Sequence, residues 1–169
     1  MKGAPLGTVI AVFFLLQVLV ADKLGIGRVE PDFPLLIVVY LAIYKGPIRG
    51  STVGFLVGII QDLFNPSLLG LNALTKTLSG YVFGIAGAKT EPESSVLLFA
   101  LLGGAALAHD VVYLLFFTGL DVGKFFIMWL TVSIPSALYT AIIGVLVHTI
   151  VSFALSGVVR SLGKTRSQG

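Results

Sequence analysis

The chain contains no cysteine, which excludes disulfides, thiolate-held metals and thiol nucleophiles and leaves the compartment open. Charge is scarce as well. Only 11% of the residues are Asp, Glu, Lys or Arg, while 56% are hydrophobic. No polar stretch is long enough to make a separate soluble domain, so residues 1–169 read as one domain. A net charge of +3, scattered along the chain, is too small for a nucleic-acid groove. No glycine loop precedes a Lys-Ser/Thr pair, and no nucleophile elbow is present. The polar residues are too few for a hydrolytic site, so an enzyme and a cofactor are not expected.

Long apolar runs are what the chain does have. The mean hydropathy is +1.02, which predicts an all-α integral membrane protein. Six segments can be drawn, at about 5–21, 33–44, 48–64, 68–88, 96–117 and 125–153. The second is short for ~30 Å of hydrocarbon at ~1.5 Å per residue. The sixth is long enough to tilt, and Pro135 is expected to kink it or split off an interfacial piece. Met1-Lys2 and the run to Ala21 also resemble a signal peptide. Leu19 at the minus-three position disfavours cleavage after Ala21, so an uncleaved first helix is the reading adopted.

The basic residues set an orientation. With the N-terminus inside, Lys2, Lys45, Arg49, Lys89, Arg160, Lys164 and Arg166 fall on inner loops. Lys23, Arg28 and Lys124 fall on outer ones, and Lys76 lies within a span. This bias puts both termini in the cytoplasm. The tail from Arg160 is suited to anionic lipid, although topology alone accounts for it.

Polar groups inside apolar segments are costly, at about 2.5–3.5 kcal/mol for a charge on insertion scales. Lys76 lies ~12 Å and Asp110 ~10 Å below the outer ends of their helices by helical rise. They are therefore expected to meet, with Asp62 or His109 above them. A structural ion pair is the simple reading of this cluster. A relay, a substrate anchor or a partner contact is the functional one, and Asp62 alone can also be read as an interfacial residue. Gly50, Gly54 and Gly58 form one close-approach face, and Gly80, Gly84 and Ala88 a second. Each serves either helix packing within the chain or docking of a partner helix. His148 reads as an interfacial or hydrogen-bonded histidine, since nothing at ligand spacing supports a metal. Gln17 reads as polar glue in the first helix.

The order of motifs resembles a known family. It runs Pro31-Asp32-Phe33, Tyr40, Gly46-Pro47, Gly50-x-x-x-Gly54-Phe55-x-x-Gly58, Asp62-Leu63-Phe64, Leu69-Gly70-Leu71-Asn72-Ala73-Leu74 and Gly80-Tyr81. Over residues 31–84 this is similar to MreD, the rod shape-determining membrane protein of bacterial elongation. Leu69, Gly70 and Asn72 belong to the family's turn. Many members carry Pro-Leu-Gly there, whereas here the proline stands earlier, at Pro66. The resemblance implies a non-enzymatic scaffold that pairs with a bitopic MreC-like protein. It also implies action with MreB filaments, the RodA glycosyltransferase and its transpeptidase in lateral peptidoglycan synthesis. It further implies the six-helix fold of the substrate-binding components of energy-coupling-factor transporters.

Two functions are carried forward. In the first, the chain is that scaffold, offering a glycine face or the outer polar cluster to its partner. In the second, it is a substrate-binding subunit of a vitamin-type transporter, with Asp62, Asn72, Lys76 and Asp110 lining a pocket. The outer loop from Asp22 to Asp32 supplies charge but no aromatic for such a ligand. A proton relay through the carboxylates is a third idea, and the inner half offers it only His148.

Overall fold

One glycine and one proline, at positions 46 and 47, turn the chain back on itself. Helix α2, Phe33–Lys45, ends at Gly46, whose φ of 91° only glycine adopts freely, and α3, Pro47–Phe64, starts at the next residue. In the computed structural model the chain is described from Leu6 to Arg166, apart from residues 18, 20–22, 24, 26–28, 65 and 91–93. The described residues are all-helical: α1 Leu6–Leu16, α2 and α3, then a 3-10 turn Pro66–Leu68. After these come α4 Leu71–Thr90, α5 Ser95–Phe117 and α6 Val122–Met128. A π turn Trp129–Ser133 leads into the last helix, α7 Ile134–Arg166. Lys2, Pro5, Ala21 and Arg28 lie outside the described residues, as do the side chains of Ala88, Lys89, Arg160, Lys164 and Arg166.

By length and composition, α5 and the stretch Val122–Phe153 are each long and apolar enough to cross a membrane. Helix α2 has 13 residues, ~20 Å by helical rise, and nine of them are buried. It is a central strut. Phe33, Leu36, Val39 and Ile43 enter a core with Leu98, Leu102 and Ala105 of α5 and Ala137 and Ala141 of α7. Val38 turns the other way, onto Val53 and Val57 of α3.

The glycines of both faces make close approaches within the chain. A Cβ on Gly50 would stand 2.7 Å from the Gly80 carbonyl oxygen, and one on Gly54 would stand 2.6 Å from the Lys76 carbonyl carbon. A Cβ on Gly58 would stand 2.5 Å from the Asn72 carbonyl carbon, and one on Gly84 would stand 2.7 Å from the Pro47 nitrogen. Gly50, Gly54, Gly58, Gly80 and Gly84 therefore pack within the chain, α3 against α4, with Ala42 of α2 beside Gly50.

The sixth segment is not a plain kinked helix. Pro135 has no N–H to donate and its ring crowds the preceding turn. Ile134 N–H instead reaches back five residues to the Trp129 carbonyl, which widens that turn into a π turn. Ser94 and Asp121 cap α5 and α6, accepting from the N–H groups of Leu97 and Lys124 at 3.1 and 3.0 Å.

Candidate functional site

Asp32 stands immediately before the apolar run that becomes α2. Its Oδ1 caps the helix, accepting from Leu35 N–H at 2.8 Å. Two further bonds fix this corner. Asp32 N–H donates to Thr140 Oγ1 of α7 at 3.1 Å, and Phe33 N–H donates to Gln17 Oε1 at 3.0 Å. Gln17 thus supplies an acceptor for one of the orphan donors at the start of α2.

The other carboxylate oxygen of Asp32 receives a cation. Lys76 Nζ of α4 lies 2.8 Å from Asp32 Oδ2 and is fully buried. The same ammonium is 3.2 Å from His109 Nε2 of α5. An ammonium has no lone pair, so Nε2 must accept, which places the ring hydrogen on Nδ1. His109 Nδ1 then donates to Asp110 Oδ1 at 3.0 Å. Tyr113 lies along the same ring, with centroids 5.9 Å apart. The chain of contacts is Asp32, Lys76, His109, Asp110.

This arrangement corrects two expectations. Lys76 does not pair with Asp110: the imidazole of His109 stands between them, and the ion partner is Asp32. Asp62 makes no hydrogen bond to that group and has partners of its own. It is fully buried at the end of α3 and accepts from Gly70, Asn72 and Ala73 N–H and from Asn72 Nδ2, at 2.9–3.0 Å. Those backbone donors are the free groups at the start of α4, where a carboxylate is favoured by the helix dipole. It therefore needs no cation. Gly70, at φ 92°, supplies the turn that aims these donors. Leu69 is exposed, Asn72 is half-buried, and Pro66 opens the 3-10 turn before them.

Asp32 was legible as a helix cap, since it precedes Phe33-Pro34 and an apolar run. Its ion pair with a residue 44 positions away was not. Glu30, Ser133, Ser136 and Thr140 also escaped notice. With Asp32, Asp110 and Tyr113 they line a cavity of about 520 Å³ between α2, α5 and the α6–α7 stretch. The remaining wall is apolar, from Leu35, Leu114, Phe117, Met128 and Val132 among others. The side chains of Asp32 and Asp110 are 27% and 25% exposed, and Glu30 sits exposed at the rim.

At the other end of α2, the His148 ring lies 6.1 Å from that of Tyr40 and 6.3 Å from that of Tyr44, and the two tyrosine rings are 6.3 Å apart. The Tyr40 hydroxyl donates to the Gly144 carbonyl. Among the described residues no group of three or more His, Cys, Asp or Glu side chains could hold a metal. Away from these helices, Asp121 caps α6. Hydrogen bonds from the backbone and then the side chain of Lys124 hold its carboxyl below the usual 3.8.

Over residues 5–156 the chain matches the family model of the rod shape-determining protein MreD. The match takes in α1 and most of α7, well beyond the motif-bearing stretch 31–84. Searches of curated proteins and of solved structures give no match.

Proposed function

The chain belongs to the MreD family of membrane proteins that determine rod shape, and from that premise we propose that it is a non-enzymatic scaffold of the cell-elongation complex. On this reading it spans the inner membrane six times, with both termini in the cytoplasm and a fold like that of the transporter substrate-binding components. It binds a bitopic MreC-like protein. Through that protein it acts with the RodA glycosyltransferase, its transpeptidase and MreB filaments to direct lateral peptidoglycan synthesis.

The observation that carries this reading beyond the family is how the intramembrane polar groups are used. Asp62 closes the α3–α4 turn, Asp32 caps α2, and Lys76 ties α2, α4 and α5 together. Such a network holds helices in one arrangement, as a scaffold requires. The glycine faces are occupied within the chain. The carboxylate-lined cavity at the outer ends of α2 and α5 is the contact proposed for the partner's outer, membrane-proximal segment.

Affinity capture of the tagged chain from native membranes in mild detergent, read by mass spectrometry, tests this. Recovery of an MreC-like protein with cell-wall synthases is expected. Recovery of an ATPase pair with a coupling subunit would refute the scaffold in favour of transport.

A further inference from the structure

The cavity between α2, α5 and α6–α7 carries an unbalanced charge. Three carboxylates line it, those of Glu30, Asp32 and Asp110. One cation, the ammonium of Lys76, stands behind Asp32, and its contacts are already engaged by Asp32 and the His109 ring. His109 reaches Asp110 only with a neutral N–H. The π turn and α7 add hydroxyls from Ser133, Ser136 and Thr140 but no charge. Among the described residues, Asp110 and Glu30 are thus carboxylates without a cation on a largely apolar wall.

We propose that this cavity receives a lysine or arginine side chain presented from the outer side by the polypeptide partner. The inference rests on the scaffold reading above. The volume, about 520 Å³, lies within the usual range for ligand sites and exceeds what one long side chain needs. The apolar wall suits the methylene stem of a lysine or arginine, whose charged head would reach Asp110. Tyr113 and Phe117 place aromatic rings in the same lining, which favours guanidinium over ammonium. A neutral or acidic group in the same place would leave the two carboxylates without compensation and in part dehydrated.

The test has two arms, both on the full chain. In nanodiscs, thermal unfolding is followed with added arginine amide and with citrulline amide, whose side chain is the neutral isostere of the guanidinium while its α-amine is the same. Stabilisation by the first alone, lost in Asp110→Asn, is expected; that variant keeps an acceptor for His109. In membranes, the MreC-like partner is captured on the tagged chain. Asp110→Lys should lower capture at least about tenfold, equivalent to about 1.4 kcal/mol. Changing one Lys or Arg of the partner's outer juxtamembrane segment to Glu should restore it, and that restoration supports the proposal even if arginine amide alone is too weak to register. Glu30→Lys at the exposed rim repeats the test where Asp110→Lys fails to fold. Undiminished capture by folded variants, with no response to arginine amide, overturns the cation site and leaves the scaffold reading standing. No capture by the wild type while arginine amide still binds overturns the scaffold and gives the cavity to a free amine. Neither capture nor binding overturns both.

Discussion

Replacing Lys76 by Met removes the ammonium that lies 2.8 Å from Asp32 and 3.2 Å from His109 while keeping most of the side-chain volume. Two groups lose a partner. Asp32 becomes a carboxylate with no cation, and His109 Nε2 loses its donor. Breaking a buried pair from one side costs about 3–5 kcal/mol. Asp32 keeps the Leu35 N–H bond and is 27% exposed, so the low end applies, about 3 kcal/mol. The assay is unfolding in detergent followed by the fluorescence of Trp129, the only tryptophan. Adding Asp32→Asn to Lys76→Met should recover most of the loss. Asn caps a helix as well as Asp does and carries no charge. What remains is about 1 kcal/mol for the unsatisfied imidazole. Adding Asp110→Leu instead should recover nothing, because the Asp32 charge is still alone and His109 Nδ1 then loses its acceptor as well. The reasoning is refuted if Lys76→Met unfolds at the wild-type midpoint, or if Asp110→Leu rescues and Asp32→Asn does not.

Gly54→Ala should cost about 1–3 kcal/mol, since its methyl meets the Lys76 backbone rather than a movable side chain. Gly103→Ala, whose Cβ would rest 3.6 Å from Ala141 Cβ, should stabilise by up to about 1 kcal/mol in the same assay. Asp62→Asn puts an NH₂ group among the donors at the start of α4 and should destabilise by about 2–3 kcal/mol. A wild-type midpoint in that variant would remove the capping argument. The carboxyl of Asp121 is held below 3.8, so its contribution is present above that pH and fades as the pH falls through the folded value. Amide exchange at Lys124, corrected for its intrinsic rate, should rise over that acid interval, and Asp121→Ala should abolish the dependence.

Much of the fold could be read from local pattern. The segments at 33–44, 48–64 and 96–117 coincide with α2, α3 and α5 to within a residue at each end. Gly46-Pro47 marks the joint of α2 and α3, because glycine accepts a positive φ that other residues resist and proline, with fixed φ and no N–H, suits the first position of a helix. The fourth segment, 68–88, begins later, at Leu71, because Pro66–Leu68 winds as a separate 3-10 turn. The π turn before Pro135 was legible as a break but not as its kind. The resemblance over residues 31–84 named the family that the longer match shows.

The candidate site was less legible. Lys76, His109 and Asp110 do belong to one connected group, but their order along it is different. Depth in a membrane follows from counting residues, and it brought Lys76 and Asp110 to the same level. The rotation of each helix about its axis does not follow from counting. That rotation turns His109 toward Lys76 and Asp110 toward the cavity.

Composition, helix boundaries and close-approach glycines were determined by the residues themselves, because apolar runs, positive φ and a missing Cβ are properties of single positions and their neighbours. Tertiary structure decided which faces meet: Gly54 on the Lys76 backbone, Asp62 on the start of α4, and Asp32 as the partner of Lys76. In lipid these choices come from close contact and from the need of each buried polar group for a partner, and both depend on where distant helices lie.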